Sequence, residues 1–357
     1  MRIVFILCGF LLNSLFVSAQ TEVCLDLLPN PNPNDAALGV FTKYVNVMDC
    51  FEIYAESNIS DAKVLYAAAV AAELLDNDED GIVDDPLLKA QLASSQALMP
   101  LLSYEGSAGE DALMDNYEGE GISAVLYNQE IDPSHPGQWG YDASVEEILH
   151  TINHVGHTNI YPSAFSLQPN SSQMSEAMDV ARGGQFINFP GTYPDEAWYH
   201  YDDYTCDYEC MMIEYMYWSI VSNMGILDDP QTCSGIANEW ELCSPVLFES
   251  MDVLMYALIT DSQYLIPMLA PDGNYCPNSL GEMLGEESGM KVSPNPCSDE
   301  LHLHLINAGE VSLYSAAGFL VMREYLKKGD NNIDVSSLSS GLYYLVMGES
   351  RESLLVE

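Results

Sequence analysis

Acidic residues outnumber basic ones along most of the chain, and this imbalance limits both how the chain folds and what it binds. The 357 residues include 54 Asp and Glu but only 10 Lys and Arg, for a net charge of −44. Residues 21–290 carry 45 of the acids and four bases, whereas residues 291–357 carry nine acids and five bases. The change in composition predicts a domain boundary near residue 290. Nucleic acids and anionic membranes would be repelled, so cations are the partners that the charge favours.

The amino terminus has the composition of an export signal. Arg2 precedes an unbroken apolar run over residues 3–12, and small residues follow at Ser18 and Ala19. This order predicts a secretory signal peptide over residues 1–20. A membrane anchor is the alternative, but it needs roughly 20 apolar residues. No later segment is long and apolar enough to span a bilayer.

Export predicts disulfides among the eight cysteines that remain without Cys8. Cys206 and Cys210 lie four residues apart on a predicted helix, where side chains run parallel, so we expect each to bridge to another segment. If Cys297 in the tail is free, one core cysteine lacks a partner. Zinc bound by cysteines is the alternative, but the sequence contains no CxxC pair.

The last 68 residues, 290–357, change to short segments in which apolar and polar residues alternate. Turn residues separate segments at 301–305, 311–314, 319–325, 332–335, 342–347 and 354–356. Alternation with period two, broken by turns, predicts a small antiparallel β-sandwich.

Three motifs in this tail carry a resemblance to a known family. They are Pro294-Asn295-Pro296, the segment from Val311 to Gly318, and the segment from Leu338 to Tyr343. In this order they resemble the type IX secretion sorting domain of gliding and related Gram-negative bacteria. The resemblance implies export through the periplasm, binding to the secretion machinery, and release or attachment at the cell surface. An ordinary accessory β-domain is the alternative.

Residues 21–289 predict an acidic α+β core that is mostly helical with a small sheet. Helices are predicted up to about Val47 and over 61–75, 86–99, 172–181, 236–241 and 245–260, and strands over 51–54, 99–103 and 123–128. The sequence shows no Gly-rich phosphate loop, dinucleotide-binding fingerprint or G-x-S-x-G motif.

A calcium loop is predicted between two of these helices. Oxygen ligands recur at alternate positions, and Gly81 stands where the chain must turn sharply, which is the arrangement that Ca²⁺ requires. The segment resembles an EF-hand or dockerin-type loop, although Leu87 replaces the usual bidentate Glu at position 12. A solvated acidic turn is the alternative. The predicted ligands are Asp76, Asp78, Asp80, the carbonyl of Ile82, and Asp84.

Three histidines lie within eight residues of a predicted helix at 142–157. Glu147, His150, His154 and His157 are spaced by 3, 4 and 3 residues, so an α-helix places them on one face. The face predicts a site for zinc or another transition metal, with Glu147 as general base. The alternative is that Ser144 and Glu147 form a capping box and that the histidines are solvated.

The same helix has a weak resemblance to the zincin metallopeptidase helix. When the zincin motif is aligned from His150 or from Asn153, the segment lacks a residue that the motif requires. When the motif is aligned over residues 146–150, the general-base glutamate and the second histidine are present, but Glu146 stands in place of the first metal-binding histidine. Glu214, on a later helix rich in cysteine and aromatic residues, is predicted to complete the metal site. Pairing of Glu214 with an amide or a tyrosine is the alternative.

Two functions follow from these features. The first is an exported, calcium-binding, metal-dependent hydrolase that is peptidase-like, with exposed aromatic rings suited to a peptide or glycan ligand. The second is a non-catalytic, calcium-stabilised surface or adhesion protein whose histidines are structural.

Overall fold

A mixed five-stranded sheet lies within the helical core of the protein. The computed structural model describes residues 24–277, 290–293, 295–298, 300–305, 307–315, 320–336, 338–347 and 350–356. The predicted signal peptide therefore lies outside the described residues. Contacts divide the described chain into two compact units, with the division after Pro277.

The core sheet follows chain order. Its strands are β1 (Leu28–Pro29), β2 (Lys43–Val47), β3 (Phe51–Ala55), β4 (Leu98–Leu102) and β5 (Leu126–Tyr127). The pairs β1–β2 and β2–β3 are antiparallel, whereas β3–β4 and β4–β5 are parallel. Every residue of β4 is buried, which is typical of a parallel strand covered on both faces.

Helices surround this sheet. They are α1 (Asp61–Leu75), α2 (Pro86–Ser95), α3 (Ala108–Asn116), α4 (Ser144–Thr151), a π-helix (Ile152–His157), α5 (Thr158–Ile160), α6 (Pro162–Phe165), α7 (Gln173–Ala181), α8 (Tyr208–Met224), α9 (Pro230–Ile236), α10 (Pro245–Met251) and α11 (Val253–Ile259), with a 3₁₀ turn at Asn128–Glu130. One face of the sheet packs against α1 and α4, and the other packs against Phe41 and Leu113. The α+β prediction is confirmed.

Three of the predicted helical segments are wrong or too long. The segment up to Val47 is strand β2, because Val45 and Val47 are buried on one face and left-handed residues Met48 and Asp49 turn the chain into β3. Helix α2 stops at Ser95, since Gln96 takes a left-handed conformation, and β4 follows.

The third incorrect segment is 236–241, where α9 ends at Ile236 instead of a helix beginning there. The chain beyond it pairs with another extended segment. The backbone N–H of His200 donates to the carbonyl of Glu239, and the N–H of Glu241 donates to the carbonyl of Trp198. These bonds satisfy the backbone in place of helical ones.

The tail forms two antiparallel sheets. One contains β6 (Met290–Ser293), β7 (Glu300–Leu305) and β10 (Gly329–Asp334), and the other contains β8 (Gly309–Ser315), β9 (Leu320–Leu326), β11 (Gly341–Met347) and β12 (Ser350–Val356). Their inward-facing residues share one hydrophobic cluster. The predicted antiparallel sandwich is confirmed.

Among the described residues, three disulfides link Cys24 to Cys276, Cys206 to Cys210, and Cys233 to Cys243. The expectation that Cys206 and Cys210 bridge elsewhere is wrong. Helix α8 begins at Tyr208 and is capped by Asp207, so Cys206 lies in the extended segment before the helix and its Cα is 5.4 Å from that of Cys210. Cys297 is free, and Cys50 is the odd cysteine of the core.

Candidate functional site

The amino terminus of α4 leaves two adjacent glutamates without a capping role. The cap residue is Ala143 and makes no side-chain hydrogen bond, while the hydroxyl of Ser144 donates to Asp142 at 2.8 Å. The predicted capping box of Ser144 and Glu147 is therefore wrong. Glu146 and Glu147 are available to other groups in the core.

A π-helix divides the predicted histidine face. Beyond Thr151 the backbone bonds residue i to i+5, as in the bond from the N–H of Thr158 to the carbonyl of Asn153. Each turn then holds more residues than an α-helical turn, so side chains lie in different directions from those that 3.6-residue spacing predicts. As a result His154 is exposed, whereas His157 is fully buried.

His157 belongs to the hydrophobic interior and not to the group around His150. Its Nδ1 lies 2.9 Å from the Oδ1 of Asn153, and its ring meets Phe165 edge-on with centroids 6.2 Å apart. Burial lowers the pKa of His157 to about 4. The prediction that all three histidines share one face with Glu147 is wrong.

The structure brings His150 together with Glu146 and Glu214. Each of the three offers a ligand atom, and these atoms lie within 4.8 Å of one another. The Nε2 of His150 is 3.4 Å from a carboxylate oxygen of Glu214. This Nε2 is buried and makes no hydrogen bond with the described residues. A buried nitrogen that lacks a partner beside two carboxylates has the surroundings of a metal ligand.

Burial and charge act in opposite directions in this group. Burial lowers the pKa of His150, but the carboxylates of Glu214 and Glu147 outweigh burial and hold the pKa well above its usual value. Burial raises the pKa of Glu146 to about 8. Burial, and then the nearby Glu146, also raise the pKa of Tyr217, whose ring meets His150 edge-on at 5.6 Å. Ionisation of Glu146 therefore costs free energy unless a cation lies beside it.

Glu147 lies beside the other ring nitrogen of His150. Its carboxylate oxygen is 3.4 Å from Nδ1, and its side chain keeps a quarter of its surface exposed to solvent. A carboxylate at this nitrogen orients the imidazole and favours the tautomer with a free Nε2. The base role of Glu147 stays a prediction.

A cavity of about 270 Å³ opens beside the group. It lies between the π-helix and the start of α8, and His154 lines its wall together with both apolar and acidic residues. Its lining residues are Ser123, His150, His154, Leu167, Glu209, Cys210, Ile213 and Glu214. The cavity gives a ligand access to the buried His150.

The sequence-based ligand set missed Glu146. The signal was present, because Glu146 and His150 are four residues apart on the regular part of α4. The register that contains them looked incomplete only because a glutamate occupies the first ligand position. His154 remains near His150 along the cavity wall but is not one of the three clustered groups.

The predicted calcium loop brings three of its aspartates together. Asp76, Asp78 and Asp84 each offer a carboxylate oxygen within 4.8 Å of the others. Gly81 has φ +92°, so it makes the sharp turn that the sequence predicted. Asp80 instead accepts a hydrogen bond from the N–H of Ile82 at 2.8 Å and lies outside the group.

Neighbouring groups hold the loop in place. Asp76 accepts hydrogen bonds from the N–H of Gly81 at 2.7 Å and from the hydroxyl of Tyr275 at 2.6 Å. Burial, followed by the adjacent carboxylates, raises the pKa values of Asp78 and Asp84. The three carboxylates therefore repel one another in the absence of a cation.

Asp85 caps the next helix and the side chain of Ile82 faces solvent, while the Ile82 carbonyl as a calcium ligand stays a prediction. The side chain of Asp85 caps α2 by accepting from the N–H of Leu87 at 2.8 Å, and it also accepts from the hydroxyl of Tyr161 at 2.8 Å. The side chain of Ile82 is 67% exposed. The loop thus turns Ile82 to solvent, whereas Asp76 is buried, Asp84 is partly buried, and Asp78 and Asp80 are exposed.

Comparison with known proteins identifies the tail. Residues 291–355 match the family model of the secretion system C-terminal sorting domain. The predicted type IX sorting domain is confirmed, and the protein is exported and either secreted or attached to the cell surface. No curated protein matches the chain. None of the helices described in the structure is long and apolar enough to cross a bilayer.

Proposed function

We propose that the acidic core is a metal-dependent hydrolase, peptidase-like in its chemistry, with the metal bound by Glu146, His150 and Glu214. The observation that carries the proposal is the buried Nε2 of His150, which lacks a hydrogen-bond partner among the described residues and faces Glu214 at 3.4 Å. The nearby cavity gives a substrate access to that nitrogen.

The donor set suits zinc or a related transition ion. One imidazole nitrogen and two carboxylates would hold the ion, and three protein ligands of these types are usual for catalytic zinc. When bound, such an ion supplies Lewis acidity, which polarises a carbonyl group and makes water a stronger acid. Two glutamates and one neutral histidine together also balance a divalent charge.

Glu147 has two roles in the proposed site, as the base and as the group that orients His150. Glu147 would serve as the base that takes a proton from water, because it is a partly exposed carboxylate next to His150. The same contact orients the imidazole so that Nε2 faces the ion. Export and three disulfides fit a peptidase that acts outside the cell.

Metal content of the purified exported protein tests the assignment. We expect about one zinc per chain in the wild type, and we expect it to be lost in His150→Ala and in Glu214→Gln. His154→Ala is the matched control, because His154 is outside the clustered group, and we expect it to keep its zinc. Hydrolysis of labelled casein should be lost together with the metal.

Zinc that persists in both ligand variants would reject this site. A wild type without zinc and without hydrolysis would instead favour the second function, an exported scaffold stabilised by calcium. Circular dichroism separates both results from misfolding, because a folded variant keeps its helical signal.

A second ion, calcium, is proposed for the loop. The convergence of Asp76, Asp78 and Asp84 on one point supports it, and oxygen ligands are those that calcium prefers. The loop also joins distant parts of the core, since Asn77 accepts hydrogen bonds from the N–H groups of Met268 and Leu269 at 2.8 Å. Calcium here would stabilise structure.

Thermal unfolding with and without calcium tests the loop. We expect calcium to raise the melting temperature of the wild type, and we expect Asp78→Asn to reduce the rise. Asp115→Asn, which changes an exposed aspartate on α3, is the control and should keep the full rise. If calcium leaves the melting temperature of the wild type unchanged, the proposal is rejected.

A further inference from the structure

We propose that the cavity beside the metal group selects a peptide with a Lys or Arg side chain, whose cationic end binds Glu209. This inference rests on the proposed hydrolase function and adds the class of substrate. The side chain would enter between the π-helix and α8, where Glu209 and the metal ligand Glu214 lie on the same helix.

The cavity wall has two parts that suit a long cationic side chain. Leu167 and Ile213 give an apolar surface for the methylene stem, and Glu209 gives a carboxylate for its charged end. Lys and Arg commonly pack their stems on apolar atoms in this way while the charged group binds elsewhere. The opening also leads to His150, so a peptide held here would lie beside the proposed metal.

No base of the core competes for Glu209. None of the described Lys or Arg residues lines the cavity. Lys43 pairs with Asp61 at 2.7 Å, Lys63 donates to the carbonyl of Asn128 at 2.5 Å, and Arg182 pairs with Asp179 at 3.2 Å.

The other groups around Glu209 do not neutralise it. The amide of Gln168 donates a hydrogen bond to its Oε1, which fixes the carboxylate without supplying charge. Although the side chain of His154 is exposed, partial desolvation of its ring by neighbouring core atoms lowers its pKa from the usual value, so this imidazole is mainly neutral at pH 7. A substrate cation is therefore the counter-ion that the cavity lacks.

Two peptides that differ in one charge test the proposal. The probes are fluorescein-labelled Ala-Ala-Arg-Ala-Ala-Ala and the same peptide with neutral citrulline in place of arginine. Binding is measured by fluorescence anisotropy at 0.15 M salt, where the Debye length is about 8 Å and distant acids contribute little. The zinc-loaded Glu147→Gln protein is the background, because it should bind without rapid cleavage.

We expect the arginine peptide to bind about three- to tenfold more tightly than the citrulline peptide. Adding Glu209→Gln should bring the ratio close to one. Glu176→Gln is the matched control, because Glu176 is also an exposed glutamate in the first turn of a helix and does not line the cavity. It should keep the wild-type ratio.

The outcomes separate this inference from the proposed function. Equal binding of the two peptides, or a ratio that Glu209→Gln leaves unchanged, overturns the inference even if zinc and hydrolysis are present. A ratio that depends on Glu209 in a protein without zinc or hydrolysis supports the selective cavity and overturns the hydrolase. Equal loss of the ratio in Glu176→Gln shows general attraction to an acidic surface and overturns the inference.

Discussion

His150 lies among three carboxylates, and its two ring nitrogens have different neighbours. Nε2 faces Glu214, and Nδ1 contacts Glu147. An imidazole with one nitrogen oriented by a carboxylate and the other facing a second carboxylate is suited to metal binding, because the first contact favours one tautomer. The roles of the two glutamates can therefore be separated by substitution.

Glu147→Gln and Glu147→Ala should give different losses. Glutamine keeps an oxygen that accepts from Nδ1 but cannot take a proton, so we expect zinc to remain while hydrolysis falls about 10²- to 10⁴-fold. Alanine also removes the orienting contact, so we expect zinc affinity to fall a further 10- to 100-fold. Zinc titration and casein hydrolysis are the measurements, and a Glu147→Gln protein of full activity would contradict the base role.

His157 predicts a dependence of stability on pH. Its pKa is about 4 in the folded protein and about 6.5 in the unfolded chain, so the unfolded chain takes up the proton first as pH falls. Its contribution to the free energy of unfolding is present above pH 6.5 and is lost between pH 6.5 and 4. Between pH 7 and pH 5, we expect this histidine to cost the wild type about 2 kcal/mol in free energy of unfolding. His157→Gln should abolish that part of the decrease.

Urea unfolding at the two pH values measures this effect. His135→Gln is the control for the loss of a histidine, because His135 is partly exposed and lies outside the hydrophobic interior. Identical pH dependence in wild type and His157→Gln would contradict the neutral, buried state of His157.

At the scale of elements, the π-helix is the feature that the sequence concealed. Spacing of 3, 4 and 3 residues predicts one histidine face only if every turn is α-helical. Helix α1 has the predicted first and last residues, because an Ala- and Leu-rich segment that Ser60 caps strongly favours a helix. The site was partly predictable because Glu214 and His150 were identified by their residue types. Glu146 and the separation of His157 depended on packing that local sequence does not specify.

Gly156 connects the π-helix to α2. A Cβ at this position would overlap the side chain of Leu88 and come close to Leu92, and Gln91 also donates to the carbonyl of Val155 at 3.2 Å. We expect Gly156→Ala to lower the free energy of unfolding by about 1–3 kcal/mol through overpacking. Urea unfolding measures it.

A second variant identifies the cause. In a Leu88→Ala background the space for the added methyl is open, so Gly156→Ala should cost less than in the wild type. Equal costs in the two backgrounds would assign the effect to the backbone and not to the contact with Leu88.

At the scale of the whole molecule, chemistry and export are assigned to different units. The candidate sites lie in the unit before Pro277, and the sorting domain matches residues 291–355. The sandwich was predictable from the sequence because alternating segments and turn residues recur at short intervals. The disulfides were not, since pairing depends on which segments the fold brings together.

Deletion of residues 291–357 should stop export at the outer membrane. We expect the shortened protein to accumulate in the periplasm, because the signal that the secretion machinery recognises is gone. Immunoblots of periplasm, cell surface and medium measure its distribution, and a periplasmic reporter carrying residues 291–357 is the reciprocal control. Shortened protein in the medium at the wild-type level would contradict the assignment.

The disulfide between Cys24 and Cys276 affects how the exported protein withstands unfolding and proteolysis. These residues are 252 positions apart, so the bond turns nearly all of the acidic unit into a covalent ring. Ring closure of this size restricts the unfolded chain by about 5 kcal/mol from entropy alone. The ring closes one residue before Pro277, so a protease that trims the sorting tail beyond this point leaves the circle intact. A single cut within the ring would likewise leave both fragments tethered.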